Sequence, residues 1–123
     1  MRKLLIVDDS RFVRLAVRRI VESLGFAADE AENGQRALEY CTQFGPPDGI
    51  ILDVMMPVMD GLSFLRAMRL NPQLQQCPVV VCTTKSAMGE IQDALAAGAN
   101  EYVMKPFTEE ILAGKLRQVG LLQ

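Results

Sequence analysis

With 123 residues, half of them hydrophobic, the chain is long enough for one compact domain with a sizeable core and too short for two. Its net charge of −2 offers no basic footprint for nucleic acid, and the absence of histidine removes the commonest general base and the commonest metal ligand, so any metal here must be held by oxygens. Cys41, Cys77 and Cys82 are odd in number and widely spaced with no C-x-x-C pair, which argues against a disulfide framework or a zinc site; they read as small buried or half-buried hydrophobes suited to a reducing cytoplasm.

Leu4 to Val7 is a short apolar run, consistent with a strand buried on both faces. Met1-Arg2-Lys3 precedes it and Asp8-Asp9 cuts it short, so it is neither a signal peptide nor a membrane span. Ser10 is placed to cap a helix whose apolar stripe is Val13, Ala16, Val17, Ile20, Val21 and Leu24, with Gly25 just past its end. Arg11, Arg14, Arg18 and Arg19 crowd this helix and read as a solvated face. Phe12 and Leu15 lie off the stripe, as scattered surface apolars do.

Phe26 to Ala31 reads as a short, weak strand, and Asn33-Gly34 turns into a second helix, Gly34 to Phe44, with Ala37, Leu38 and Cys41 inward. Gly45-Pro46-Pro47-Asp48-Gly49 is a rigid internal connection to the apolar strand Ile50-Ile51-Leu52, which ends on Asp53. Val54, Met55 and Met56 lead to Pro57, which cannot donate to a strand ladder; Met55, Met56 and Met59 read as loop and core packing. Asp60-Gly61 turns into a third helix, Gly61 to Leu70, broken by Asn71-Pro72.

Pro78 opens Val79-Val80-Val81-Cys82, a β-branched strand ending on Thr83-Thr84-Lys85-Ser86. A fourth helix, about Met88 to Ala97, closes at Gly98. Tyr102-Val103-Met104 is a short fifth strand ending on Lys105-Pro106, and Thr108 can cap a fifth helix through about Val119. Strand and helix alternate five times, which predicts a single α/β domain over residues 1–123, with a parallel sheet, helices on both faces and right-handed crossovers.

In an open parallel sheet, ligands bind beyond the carboxyl ends of the strands. Here those ends carry Asp8-Asp9, Asp53, Thr83 and Lys105, all expected at one edge. A buried strand-end carboxylate is costly unless something uses it, and three packed together repel. A hard divalent cation relieves that repulsion, and carboxylates with a carbonyl and waters suit magnesium. A carboxylate can then act as nucleophile toward phosphorus, giving an aspartyl phosphate, with a lysine and a hydroxyl on the other phosphoryl oxygens. No G-x-x-x-x-G-K-[ST], G-x-G-x-x-G or G-x-S-x-G is present, so P-loop, dinucleotide-binding and serine-hydrolase readings lose support.

Asp8-Asp9, Asp53 with Met56-Pro57-x-Met59-Asp60-Gly61, Thr83, and Ala97-Gly98-Ala99-x-x-Tyr102-x-x-Lys105-Pro106-Phe107 together resemble the receiver domain of bacterial two-component response regulators, over essentially the whole chain. The resemblance implies a flavodoxin-like (βα)5 doubly wound sandwich with strand order 2-1-3-4-5. It implies that Asp53 accepts a phosphoryl group from the phosphohistidine of a sensor histidine kinase or phosphotransfer protein, or from a small donor such as acetyl phosphate. It implies that Asp9, Asp53 and the backbone carbonyl of Met55 coordinate Mg2+, with Asp8 acting largely through water. Lys105, joined to Pro106 by an expected cis bond, contacts the phosphoryl group. Thr83 moves toward it, and Tyr102 swings inward as a coupled switch, signalling at the surface of the fourth helix, fifth strand and fifth helix. Met55 and Lys85 fall where the family tunes phosphoryl lifetime, and Lys85 could attract a phosphatase.

The resulting expectation is a stand-alone cytoplasmic receiver, not an enzyme on an external substrate, whose output is protein contact of the chemotaxis type. A phosphorelay intermediate or kinase-control protein is the near alternative. A small Mg-dependent aspartyl-phosphate phosphatase or phosphotransferase is the alternative of another class. That enzyme calls for a second acid just beyond the nucleophile, where Val54 and Met55 stand, and for a substrate cap. A third reading, a phosphorylation-independent interaction module, does not explain the full acidic site.

Overall fold

The computed structural model describes residues 2–84 and 89–123. Strands and helices alternate in the order β1 (Lys3–Val7), α1 (Arg11–Ser23), β2 (Ala27–Ala31), α2 (Gly34–Phe44), β3 (Gly49–Asp53), α3 (Gly61–Leu70), β4 (Val79–Thr83), α4 (Ile91–Ala96), β5 (Glu101–Met104) and α5 (Glu109–Gln118). The strands form one sheet in the order β2-β1-β3-β4-β5, every pair parallel. This is the flavodoxin-like arrangement expected, with β2 and β5 at the edges.

Period-two alternation within the strands sorts the core into two layers. Leu4, Ile6, Ile51, Val80, Cys82 and Val103 face α1 and α5, meeting Val17, Val21, Leu112 and Leu116. Leu5, Val7, Ile50, Leu52, Val79 and Val81 face the opposite side, meeting Ala37 and Cys41 of α2, Phe64, Leu65 and Met68 of α3, and Ala94 of α4. Strands covered on both faces explain why these segments read as unbroken apolar runs. Each such side chain contributes about 1.5–3 kcal/mol by leaving water.

Ser10 and Thr108 cap helices as the sequence indicates, and Asn33 and Asp60, read as turn residues, do so as well. Ser10 accepts from the Val13 amide, Asn33 from Arg36, Asp60 from Ser63 and Thr108 from Ile111. Gly25 (φ 97°) follows α1 in the left-handed conformation that a C′ glycine supplies. Helix α4 is shorter than the periodicity suggested, beginning at Ile91 with no side-chain cap on Glu90; the expected start at Met88, and Lys85 and Ser86, lie outside the described residues.

Two expectations about α1 need correction. Ala16, placed on the inward stripe, is exposed. It lies on the wall of an apolar groove of about 380 Å³ between α1 and the β5–α5 connection, shared with Phe12, Ile20, Pro106 and Phe107. Arg14 and Arg18 do not belong to a solvated face: both turn inward onto Glu30 of β2, while Arg11 and Arg19 are exposed. Phe12 (82 % exposed) and Leu15 (43 %) are surface apolars as read.

Candidate functional site

The register brings the strand ends to one edge. Val7 pairs with Leu52, Leu52 with Val81, Asp53 with Cys82, and Thr83 with Met104. Asp8 therefore leaves β1 beside Asp53, and Lys105 leaves β5 beside Thr83. The Lys105 amide donates to the Thr83 carbonyl at 2.6 Å, extending the ladder one step beyond β5. The Lys105–Pro106 peptide bond is cis.

Asp8 and Asp53 are buried and Asp9 is exposed. One carboxylate oxygen from each lies within 4.8 Å of the others. The Lys105 ammonium is 2.7 Å from Asp8 Oδ2 and 3.5 Å from Asp53 Oδ1. Asp8 Oδ1 accepts from the Ser10 amide at 2.9 Å, its amide donates to the Ala31 carbonyl at 3.1 Å, and its carbonyl accepts from Arg14 at 2.7 Å. Besides the Lys105 contact, the Asp53 carboxylate receives a long bond, 3.4 Å, from the Met55 amide.

Charge follows from that geometry. Burial raises the Asp53 pKa above the ordinary carboxylate range; the Lys105 charge works against this and the Asp8 charge adds to it. Burial of Lys105 disfavours its ammonium, yet the bond to Asp8 and the charges of Asp53 and Asp8 prevail and raise its pKa. A dense set of hard oxygen donors, one of them ionised at a cost, fits a small divalent cation of the magnesium type better than any soft metal.

The loop after β3 is held tightly. The Gly61 amide donates to the Val54 carbonyl at 3.0 Å, and a Cβ at Gly61 would press into the Asp53 carbonyl. Val58 has φ 69°, at the centre of a γ-turn closed by the Met59 amide on the Pro57 carbonyl at 2.8 Å, a strained conformation for a β-branched residue. The Met59 carbonyl then accepts from the Gly34 amide at 3.0 Å, tying the loop to α2. Met56 and Met59 pack against the core as read, but Met55 does not: it is 59 % exposed, beside the Asp53 carboxylate.

Asp8, Asp9, Asp53 and Lys105 thus come together as one constellation. Thr83 is buried on the adjoining strand end, its hydroxyl donating to the Thr84 carbonyl at 3.2 Å. Tyr102 stands apart, half-buried on edge strand β5 opposite Val81, with the Lys115 ammonium 4.9 Å from its ring centre. The sequence reading missed Arg14 and Glu30 as neighbours of the site. Their one signal was arginines spaced four apart on α1, with the adjacent acids Asp29 and Glu30 on the weak second strand.

Residues 4–117 match the response regulator receiver domain model. The chain belongs to that family. The receiver is 36 % identical to the chemotaxis protein CheY1 of Helicobacter pylori over 118 residues, covering 95 % of each chain. It is equally similar to the chemotaxis protein CheY of Pseudomonas aeruginosa, at 36 % over 95 % of this chain and 94 % of the relative. The response regulator MprA of Mycolicibacterium vanbaalenii is also 36 % identical, but the receiver spans only 48 % of its length. Among solved structures, the chemotaxis response regulator CheY4 of Vibrio cholerae superimposes with a TM-score of 0.89 at 35 % identity, over 97 % of this chain and 98 % of that one. The receiver is thus a module of two-component signalling, and no helix among its described residues is long and apolar enough to cross a membrane.

Proposed function

We propose that this receiver accepts a phosphoryl group on Asp53 in the presence of Mg2+ and signals by protein contact, as a single domain of the chemotaxis type over residues 1–123. The observation that carries the reading is the convergence of Asp8, Asp9 and Asp53 within 4.8 Å of one another, with the Lys105 ammonium against Asp8 and Asp53. Both contacts described for the Asp53 carboxylate fall on Oδ1, so Oδ2 is the proposed attacking oxygen. It forms a bond to phosphorus as the P–N bond to the donor's imidazole, or the P–O bond to acetate, breaks and its electron pair leaves with the donor.

Asp8, Asp9, Asp53 and the Met55 carbonyl are the residues proposed to hold Mg2+, which supplies charge neutralisation for the entering phosphoryl oxygens. Lys105 then moves from its acid pair to the phosphoryl group, and the Thr83 hydroxyl turns from Thr84 toward it. Tyr102 is proposed to respond by packing inward, altering the face of α4, β5 and α5 that a target protein reads. The kinase or phosphotransfer partner is proposed to dock along the apolar groove of α1, which reaches Lys105. No activity on an external substrate is proposed. The similarity to relatives named as chemotaxis proteins favours the chemotaxis-type role over a relay or kinase-control role.

Incubation with magnesium and acetyl phosphate, followed by intact mass, tests the reading. One added phosphoryl group is expected in the parent, and none in Asp53→Asn or without magnesium. Failure to form both this adduct and a beryllofluoride complex would leave a phosphorylation-independent interaction module as the better description.

A further inference from the structure

We propose that Arg14 is a positioning residue for the acidic site, anchored by Glu30, and that it acts by fixing the peptide plane between Asp8 and Asp9. The inference rests on the reading of Asp8, Asp9 and Asp53 as a magnesium site. Arg14 donates through Nη1 to the Asp8 carbonyl at 2.7 Å and through Nε to Glu30 Oε1 at 2.9 Å. Arg18, one turn later on α1, donates to the other oxygen of Glu30 at 2.9 Å. One carboxylate on β2 therefore holds two arginines of α1, and only the first of them reaches the acidic turn.

The Asp8 carbonyl and the Asp9 amide share one rigid plane. Whatever fixes that carbonyl also fixes the direction in which the chain enters Asp9. The other polar groups of Asp8 are committed too: its amide to Ala31, its carboxylate to Ser10 and Lys105. Asp9, by contrast, is exposed, so its carboxylate depends on the backbone for its aim. A charge-assisted bond from a guanidinium that is only 13 % exposed is a strong constraint on that backbone. Pairing with Glu30 leaves Arg14 less available as a rival cation for the acids. Burial opposes ionisation of Glu30, but the bonds from Arg18 and Arg14 prevail and keep it charged.

Positioning and charge competition predict opposite signs. Loss of a positioning arginine weakens magnesium binding, whereas loss of a competing cation tightens it. Calorimetric titration of the full chain with MgCl2 reads the sign directly, alongside melting curves in EDTA. Arg14→Ala is expected to weaken binding about tenfold, the scale on which groups that orient metal ligands act. Arg14→Lys should recover part of that loss, and Glu30→Gln should lose affinity in the same direction. Arg18→Ala shares Glu30 without touching Asp8, so it should lower the melting temperature while leaving affinity within about twofold. Unchanged or tighter binding in Arg14→Ala, or an equal loss in Arg18→Ala, would overturn the assignment. If Arg14→Ala does not fold, Arg14→Met, which removes the same charge and donors but keeps the aliphatic stem, reads the sign in its place. A parent chain that binds no magnesium fails differently, removing the site's reading and this inference with it.

Discussion

Lys105 lies between Asp8 and Asp53, its ammonium 2.7 Å from the first carboxylate and 3.5 Å from the second. The closer contact goes to the acid that is otherwise fully hydrogen-bonded. Asp53, the acid proposed to react, receives the longer one.

Asp53 is therefore ionised at a cost, and the cost has a pH signature. Its folded-state pKa is raised above the ordinary value of 3.8, so between the two values the folded state holds a proton that the unfolded state has released. Stability falls as pH rises through that window and stays reduced above it. Asp53→Asn should consequently melt higher than the parent at neutral pH in EDTA. The gain should appear as an upward shift of the melting temperature. It should vanish on acidification below the window and shrink when magnesium is added. Scanning calorimetry across pH checks it, and a mutant that melts lower at pH 7 would contradict it. Lys105 behaves oppositely: its raised pKa contributes stability that is present below about 10.5 and lost at more alkaline pH.

Two glycine substitutions should move stability in opposite directions. At Gly61 a methyl group would meet the Asp53 carbonyl and approach the Val54 Cα to 2.9 Å, and both are backbone. Gly61→Ala should cost about 2–4 kcal/mol in urea unfolding, because overpacking against main chain cannot relax through a rotamer. Gly114, inside α5, has nothing within 4 Å of the added carbon. Gly114→Ala should stabilise by about 0.5–1 kcal/mol through helix propensity alone. If both were neutral, the tight return from β3 into α3 would not be a packing constraint.

Met55 offers a kinetic test that leaves the fold alone. It is 59 % exposed, and its amide touches Asp53, so its side chain can shield the phosphoryl bond without supporting the core. Met55→Asn should leave phosphorylation by acetyl phosphate intact and speed spontaneous loss of the phosphoryl group severalfold. Mass-resolved decay after removal of the donor measures this. Superimposable decay curves for parent and mutant would refute the shielding role. Lys85, the other residue read as tuning lifetime, lies outside the described residues.

Much of the architecture was legible because its signals are local. The apolar runs, the Ser10 and Thr108 caps, the turns at Asn33 and Asp60 and the glycine after α1 each act within a few residues of themselves. Legible too was the acidic edge, because a parallel sheet puts every strand's carboxyl end on one side whatever the side chains do. What escaped was long-range pairing. Arg14 looks like one more helix cation until β2 brings Glu30 across from it. Arg69 likewise reads as an ordinary residue at the end of α3. Folded, its guanidinium donates to the carbonyls of Gly98, Leu74 and Gln75 and to Asn100, joining α3 to the turn between α4 and β5. Exposure at Ala16 was hidden for a different reason: helical periodicity gives a direction, not the depth of the groove in that direction.

The buried cysteines carry a practical consequence. Burial pushes the Cys41 thiol up to about 11 and those of Cys77 and Cys82 to about 12, so none offers thiolate to an electrophile near neutral pH. The folded parent chain is expected to label little with maleimide dyes, which intact mass after dye exposure checks. A single cysteine placed at an exposed position such as Phe12 or Met104 would then take the dye alone. The α1 groove and the proposed signalling face could each carry an optical reporter in an otherwise unaltered protein.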